Sequence, residues 1–329
     1  MPPLLRRSLQ SALRVLLLFS IMVVLIGFSV SRPTWVWRDG SSQLQRADPV
    51  ALRAHVVMLS EQLPARSSDR AKHLAQSADY LFQQFSQATA SVTRQGFKTV
   101  GREFQNVVAH FGPDTGSTTV VGAHYDAYLG FPGADDNASG VAALLELGRL
   151  LGTLGDSELQ QRVILVAYAL EEPPHYASDA MGSVVHAQSL ESENIELMIS
   201  LEMIGYYSDE PNSQRYPSAL MRLYYPSRGN FIAVVEQYFA NNAVGIKAAF
   251  NRHTNIPAYS VNAPALVPGI DYSDHRSYWA AGIPAVMITD TAFHRNLAYH
   301  TPFDSADRLD YERMAEVVRG VYHYLIAQR

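Results

Sequence analysis

Five short segments of the chain carry histidine or carboxylate side chains at or just after the end of an apolar run. They are His124-Tyr125-Asp126, Asp135-Asp136, Glu171-Glu172, Glu202 and Tyr299-His300. Because the chain has no cysteine, any metal ion must be held by imidazole and carboxylate groups. Two histidines with several carboxylates suit Zn²⁺ or a similar divalent cation.

Such a set has enough groups for a pair of metal ions and for acid–base chemistry. Two ions about 3.5–4 Å apart need a carboxylate that bridges them. In an adjacent pair such as Glu171-Glu172, one carboxylate can bind metal while the other carries a proton. Asp126, two residues after His124, can accept the second ring N–H of that histidine and so fix its orientation.

Each motif taken alone also has an ordinary structural explanation. His124-Tyr125-Asp126 would fit a surface turn, Asp135-Asp136 a helix cap, and Glu171-Glu172 the start of a solvated loop. Glu202 is harder to explain in this way because it interrupts an apolar run, where a buried carboxylate is costly unless it is paired or bound to metal. The similar placement of all five segments favours a single site.

The apolar runs predict the strands that position these side chains. They cover residues 106–111, 118–123, 163–170, 197–204 and 285–289. Helical periodicity is found at residues 50–63, 71–85, 138–154, 231–239 and 305–328. This alternation predicts one layered α/β domain with a mostly parallel central sheet and a ligand site beyond the carboxyl ends of its strands. Residues 206–229 and 253–276 fit neither period and are interpreted as long functional or flexible loops.

The overall composition limits the class of protein. The 329 residues are 47% hydrophobic and 17% charged, which is typical of a globular chain rather than a disordered one. The net charge is −5, with 26 basic and 31 acidic residues, and this balance does not favour a general polyanion binder. We therefore expect no nucleic-acid partner.

The N-terminal segment predicts a membrane anchor or an export signal. Three arginines within the first 14 residues precede the uncharged residues 15–31. That run is at the short edge of a membrane span and is longer than the hydrophobic region of most cleaved signals. Trp35 and Trp37 follow it, as in an interfacial aromatic anchor. A retained anchor is therefore favoured over a secreted form made by signal cleavage, and a buried core helix is the weakest alternative.

The excess of positive charge before residues 15–31 predicts that the N-terminus is cytoplasmic. The rest of the chain would then lie on the non-cytoplasmic side of the membrane, in the periplasm or outside the cell. We divide the chain into an anchor at residues 1–31, a short polar linker at residues 32–46 and a single folded domain at residues 47–329.

The motifs between residues 120 and 310 resemble metallopeptidase family twenty-eight. That family holds co-catalytic zinc aminopeptidases, glutamate carboxypeptidases and, more distantly, glutaminyl cyclases. The resemblance rests on VVGAHYDA, PGADDNASG, ALEEPP, SLEMIG, DYSDHRSYWAAGIPAVMITDT and YHTPFDSADRLDY, which match the family's five ligand segments in order. It implies a three-layer α/β/α fold with a mixed, mostly parallel sheet, as in zinc exopeptidases and other phosphorylase/hydrolase-like proteins.

The resemblance also implies a set of ligands for two zinc ions. His124 and Glu202 would hold one ion, and Glu172 and His300 would hold the other. Asp136 would bridge both ions. Glutamate at position 202 departs from the aspartate of the familiar aminopeptidases, but it keeps the same type of donor atom.

Three further residues would act in catalysis according to the same resemblance. Glu171 would be the general base, and Asp126 would orient the ligand His124. Tyr299 would donate a hydrogen bond to the carbonyl oxygen of the substrate. A non-proline cis peptide would follow Asp136.

We therefore predict a membrane-tethered dizinc exopeptidase, most closely an aminopeptidase that acts on peptides with a free N-terminus. One alternative is a glutaminyl cyclase-like acyltransferase that uses a single zinc ion. A less favoured alternative is a non-catalytic ectodomain, which would be expected to have lost ligands or the base that this chain retains. The oligomeric state is left open.

Overall fold

The structure is a computed structural model that describes residues 3–37, 47–63, 65–89, 91–99, 101–154, 159–190 and 193–327. Of the predicted linker, residues 32–37 lie within these ranges and residues 38–46 lie outside them. The described residues from 47 onward form a central sheet with helices on both faces.

The central sheet contains eight strands in the order β1-β2-β4-β3-β5-β8-β6-β7. They are β1 (Val92–Thr99), β2 (Arg102–Phe111), β3 (Thr118–His124), β4 (Arg162–Tyr168), β5 (Ile195–Glu202), β6 (Ile232–Gln237), β7 (Ala258–Ala263) and β8 (Ala285–Thr289). Strand β3 is parallel to both β4 and β5, β5 is parallel to β8, and β6 is parallel to β7. The remaining three neighbouring pairs are antiparallel. The predicted mixed, mostly parallel sheet is thereby confirmed.

Seven α-helices in the described part of the folded domain complete the layers. They are α2 (Pro49–Val57), α3 (Ala71–Ala88), α4 (Gly140–Leu151), α5 (Gly182–Ser189), α6 (Ala243–His253), α7 (His275–Ala280) and α8 (Tyr311–Ala327). Helices α2, α3, α4, α6 and α8 share one hydrophobic core with the sheet, while α5 and α7 contribute to a smaller core on the other face. This arrangement is the predicted three-layer α/β/α fold.

The apolar residues of the sequence explain which surfaces are covered. Every residue of β3 and β8 is buried, as expected for strands that have helices on both sides. In α8, Val317, Val321 and Leu325 recur every four residues and are at most 1% exposed. Burying each such side chain contributes about 1.5–3 kcal/mol relative to its exposed state.

In the N-terminal helix α1 (Pro3–Ser31), the side chains described from residue 10 onward lie outside these cores. Its segment Gln10–Ser31 is long and apolar enough to cross a membrane, with a mean hydropathy of 2.5, and only 6% of the residues in its apolar window are buried. That low burial argues against the core-helix alternative, whereas a membrane anchor and a signal sequence both satisfy the same test. The helix contacts the folded domain at β7.

The helix predicted over residues 231–239 is wrong, because this segment forms strand β6 and residues 232–236 are all buried. A short, continuously apolar run has no periodicity that separates a buried strand from a buried helix. The predicted loop at residues 253–276 contains strand β7, and the last helix begins at Tyr311 rather than at residue 305.

Candidate metal centre

The predicted site residues lie at one edge of the sheet, where parallel strands end. His124 is the last residue of β3, and Glu202 is the last residue of β5, its parallel neighbour. Glu171 follows the end of β4, which is parallel to β3 on the other side. Asp136 and His300 come from the segments that precede α4 and α8. The topology therefore brings together residues that are far apart in the sequence.

The first group of possible metal ligands consists of His124, Asp136 and Glu202, and all three are buried. The Nε2 atom of His124 lies 3.4 Å from Oδ1 of Asp136 and 3.3 Å from Oε2 of Glu202. One donor atom from each residue lies within 4.8 Å of the others. A single cation could be bound between these three atoms.

The second group consists of Asp136, Glu172 and His300. The Nε2 atom of His300 lies 3.2 Å from Oδ2 of Asp136 and 3.2 Å from Oε2 of Glu172. Asp136 thus belongs to both groups and directs a different carboxylate oxygen to each histidine. This is the arrangement that a bridging carboxylate requires.

Asp126 connects the histidine to the glutamate pair. Its carboxylate accepts hydrogen bonds from the backbone N–H groups of Glu171 (3.1 Å) and Glu172 (3.0 Å). The Nδ1 atom of His124 lies 3.2 Å from the backbone carbonyl oxygen of Asp126 and 3.6 Å from its carboxylate. The ring is therefore oriented by the carbonyl, while the side chain of Asp126 positions the two glutamates. The Glu171 carboxylate lies 3.9 Å from Nε2 of His124.

Two tyrosine rings hold His300 in place. Its imidazole stacks on Tyr128 at a centroid distance of 4.0 Å and on Tyr299 at 3.8 Å. Tyr299 also packs against Phe293 and lines a cavity beside the site. The stacking places Tyr299 next to the second ligand group. Tyr128 lies in a short 3₁₀ turn and has no sequence motif that would have predicted its contact with His300.

Asp304 supports the segment that carries the shared aspartate. Its carboxylate accepts hydrogen bonds from the backbone N–H groups of Asp135 and Asp136 at 3.0–3.1 Å. The peptide bond between Asp136 and Asn137 is cis. The side chain of Asn137 donates to the carbonyl oxygen of Leu201 and accepts from the backbone of the residue after Glu202. Asp304 was part of the quoted motif, but its contacts depend on the fold.

Ser273 supports the other ligand side chain. Its hydroxyl donates a 2.8 Å hydrogen bond to Oε2 of Glu202 and is itself paired with the hydroxyl of Ser200. Ser273 is completely buried. Ser273 belongs to the quoted motif that begins DYSDH, but no rule of sequence spacing predicts its contact with Glu202.

Burial dominates the proton affinities of the carboxylates. It raises the pKa of Glu171 and Glu202 above the usual range, and with the nearby Asp136 it raises the pKa of Glu172 to about 8. Burial disfavours protonation of His300, but its hydrogen bonds with Asp136 and Glu172 outweigh this effect and raise its pKa to about 10. The cluster holds more acidic groups than its two histidines can neutralise, as expected of a site for cations.

The donor set fits divalent metal ions. Each group offers one imidazole nitrogen and two carboxylates, the ligands that zinc accepts when cysteine is absent. The Oε1 atom of Glu172 is buried and has no hydrogen-bond partner among the residues that the structure describes, so it can face a cation. All eight residues named in the sequence analysis as ligands or catalytic groups lie in or directly beside this cluster.

An apolar cavity of about 310 Å³ opens beside the first group. Glu202 and Tyr299 form its polar edge, and its walls include Met221, Phe231 and Phe293. Such a cavity next to reactive groups is a typical place for an apolar part of a substrate.

A cluster of possible ligands for two metal ions on this fold is what a metallopeptidase requires. The sequence matches the peptidase family M28 over residues 106–325, more than half of the chain, and the chain therefore belongs to that family. It is 49% identical over 286 residues to the uncharacterized protein YfbL of Escherichia coli strain K12, covering 84% of this chain and 87% of that protein. It is 27% identical over 259 residues to a probable leucine aminopeptidase of Arthroderma otae. That alignment covers 73% of this chain but only 62% of the relative.

Solved structures share the fold at low sequence identity. LapB from Legionella pneumophila has a TM-score of 0.66 at 22% identity, covering 85% of this chain and 72% of that one. A glutaminyl cyclase from Bacteroides thetaiotaomicron has a TM-score of 0.65 at 16% identity, with coverages of 87% and 100%. BSAP, a zinc aminopeptidase from Bacillus subtilis, has a TM-score of 0.64 at 15% identity, with coverages of 84% and 94%. The fold alone therefore does not separate peptide hydrolysis from cyclisation.

Proposed function

We propose that this metallopeptidase is a dizinc aminopeptidase. The observation that carries the proposal is that Asp136 belongs to both ligand groups and directs one oxygen to each histidine. His124 and Glu202 would hold one zinc ion, and Glu172 and His300 would hold the other. A single-metal site would have no use for the second group.

The residues around the metals divide the work of hydrolysis. When bound, the zinc ions supply Lewis acidity that acidifies water and polarises a carbonyl group. Glu171 accepts the proton of the attacking water and passes it to the leaving amine. Asp126 holds the backbone of Glu171 in position. Burial and the nearby Asp136 raise the pKa of Tyr299, so its hydroxyl stays protonated and can donate to the developing oxyanion.

Two considerations favour an aminopeptidase over other activities of the family. A site rich in carboxylates attracts the free α-amine of a peptide. The Arthroderma otae relative is named a probable leucine aminopeptidase, and BSAP is named a zinc aminopeptidase. The glutaminyl cyclase neighbour keeps the alternative of a single-zinc acyltransferase open, and metal stoichiometry separates the two. A non-catalytic ectodomain is disfavoured because Glu171 and both ligand groups are present.

We place the catalytic domain at residues 47–329 and the anchor at residues 1–31, joined by the linker at residues 32–46. The apolar segment Gln10–Ser31 supports a retained membrane helix. With the N-terminal arginines in the cytoplasm, the catalytic domain would face the periplasm or the extracellular space. A secreted form after signal cleavage is the alternative, and the size of the mature chain decides between them.

The test uses the full-length protein in detergent. We expect two zinc ions per chain by elemental analysis, and release of the first residue from aminoacyl anilides and dipeptides that is lost on chelation. N-acetylated versions of the same substrates should not be cleaved. One zinc ion per chain together with cyclisation of an N-terminal glutamine peptide would replace the proposal by the cyclase alternative. Equal cleavage of acetylated and free substrates would refute the aminopeptidase assignment.

A further inference from the structure

Helix α1 is joined to the folded domain through one narrow face. Val23, Gly27 and Val30 lie on this face because they are spaced by four and three residues, and Gly27 is the one fully covered residue among the described positions 21–31. The hydroxyl of Tyr224 donates a 2.7 Å hydrogen bond to the carbonyl oxygen of Val23. Most of the other side chains described between residues 10 and 28 are exposed.

Gly27 is needed for this contact. A Cβ atom at this position would lie 2.0 Å from the ring of Tyr224, so any other residue would push the helix away. At the end of the helix, Lys247 donates to the carbonyl oxygens of Ser31 and Arg32. The small residue Gly27 in the helix and the side chains of Tyr224 and Lys247 in the domain therefore allow the helix and the domain to pack closely.

The position of Tyr224 along the helix sets its depth in a membrane. Val23 lies eight residues before the end of the segment Gln10–Ser31, which is about 12 Å at 1.5 Å per residue. The whole segment is only about 33 Å long, close to the thickness of about 30 Å of a hydrocarbon core. If Gln10–Ser31 spans the bilayer, the part of the domain beside Val23 must enter the non-cytoplasmic leaflet.

The side chains around this contact have the chemistry of a lipid-facing surface. Leu220 and Leu223, in the turn that leads to Tyr224, are 66% and 67% exposed, and Phe239 is 85% exposed. Phe239 packs against Tyr238, whose hydroxyl bonds to Ser29 of the helix. Exposed apolar side chains of this size are costly in water and favourable in lipid.

The charge of the same region favours its contact with a membrane that contains anionic lipids. Residues 211–270 contain a single acidic residue, Glu236, which is completely buried. They contain five basic residues, of which Arg215, Arg222, Arg228 and Arg252 are exposed, whereas Lys247 is buried against the end of the helix. This excess stands out in a chain whose net charge is −5, and it favours contact with anionic headgroups.

We propose that Leu220, Leu223 and Phe239 form a membrane-docking surface that inserts into the non-cytoplasmic leaflet beside the anchor helix. The occupant of the surface is the lipid itself. The inference rests on the proposed anchor and is independent of the peptidase chemistry. It also brings the apolar cavity to the membrane surface, because Val30 and Met221 form part of its wall.

The absence of cysteine permits a direct test with single spin labels. Leu220→Cys, Leu223→Cys and Phe239→Cys are each labelled in the full chain and reconstituted in vesicles of neutral and anionic phospholipids. Val50→Cys is the control, because Val50 is 76% exposed on α2, which packs on α4 and α8. We expect the ratio of collisions with oxygen to collisions with a water-soluble nickel complex to be several-fold higher at the three docking positions than at residue 50.

A substitution in the helix separates docking from anchoring. Gly27→Leu should leave the protein in the membrane pellet after carbonate extraction but lower the collision ratio at residue 223 to that at residue 50. Ile26→Leu, on the exposed face of the helix, should change neither result. Water-like ratios at all three positions in a membrane-retained wild type would overturn the docking surface and leave the anchor intact. Loss of the wild-type protein from the membrane would overturn the anchor and the docking surface together.

Discussion

The carboxylate of Asp304 accepts hydrogen bonds from the backbone N–H groups of Asp135 and Asp136. The side chain of Asp136 points the other way, toward His124 and His300. Asp304 therefore determines the direction of the shared ligand without belonging to either ligand group. Partners of this kind commonly change metal affinity by about 10- to 100-fold when they are replaced.

We expect Asp304→Asn to weaken zinc binding by about that factor, because an amide offers one acceptor oxygen instead of two to the two N–H donors. Competition with a chelator measures the affinity. Asp307→Asn, on the exposed side of the same segment, is the matched control and should bind zinc as the wild type does. Unchanged affinity in Asp304→Asn would show that the segment is held by other contacts.

We expect Glu171→Gln to keep both zinc ions and to lower kcat by about 100- to 10,000-fold, because an amide cannot accept the proton of the attacking water. Elemental analysis and steady-state kinetics on the same sample check both parts. Glu172→Gln provides the contrast, since it should lose metal as well as activity. A normal kcat in Glu171→Gln would remove the base from the proposed mechanism.

The part of the site that could be predicted from the sequence depends on one topological rule. His124, Glu171 and Glu202 follow runs that are apolar enough to be read as buried strands, and the carboxyl ends of parallel strands meet at one edge. Tyr128, Ser273 and the supporting role of Asp304 could not be predicted in this way. Their contacts depend on the path of loops between elements, which no periodicity describes.

The errors in the predicted fold also arise where periodicity does not distinguish one structure from another. Residues 231–239 were ambiguous because a buried strand of six residues shows neither alternation nor helical spacing. Strand β1 was missed because its burial alternates only partly, as at the edge of a sheet where one side meets solvent. The contact between Gly27 and Tyr224 could not be predicted from the sequence either, because no sequence pattern connects the two segments in which these residues lie.

The stability of the domain should fall in mild acid because of His186. Its Nδ1 atom lies 2.6 Å from the hydroxyl of Tyr278, and burial, with a smaller effect of His110, lowers the pKa of His186 from 6.5 to about 3. Between these values the unfolded chain binds a proton that the folded chain does not. The free energy of unfolding therefore decreases as the pH falls below about 6.5, by up to about 1.4 kcal/mol per pH unit.

His186→Gln removes the titrating group and keeps a hydrogen-bond acceptor for Tyr278. Chemical unfolding of the chelated protein between pH 7 and pH 4 should show a shallower loss of stability in this variant than in the wild type. Chelation keeps metal release out of the comparison. Parallel curves for the two proteins would mean that other groups cause the acid sensitivity.

The apolar cavity predicts a preference for large apolar N-terminal residues. Val30→Trp places an indole in a cavity of about 310 Å³, so we expect kcat/KM for leucyl substrates to fall about tenfold while alanyl substrates are affected less. Phe28→Trp, on the exposed face of the same helix, is the control and should leave the ratio unchanged. An equal effect of Val30→Trp on both substrates would indicate that Val30 does not limit the space for the side chain.

The shared position of Asp136 predicts a specific pattern of metal loss. His124→Ala removes a ligand of the first group only, and His300→Ala removes a ligand of the second group only, so each variant should keep one tightly bound zinc ion per chain. Asp136→Ala removes a ligand from both groups and should leave neither ion tightly bound, because each group then retains one histidine and one glutamate. Elemental analysis after dialysis against a weak chelator measures the stoichiometry. If Asp136→Ala kept one ion, as the histidine variants are expected to do, Asp136 would belong to a single ion and the bridging role would be wrong.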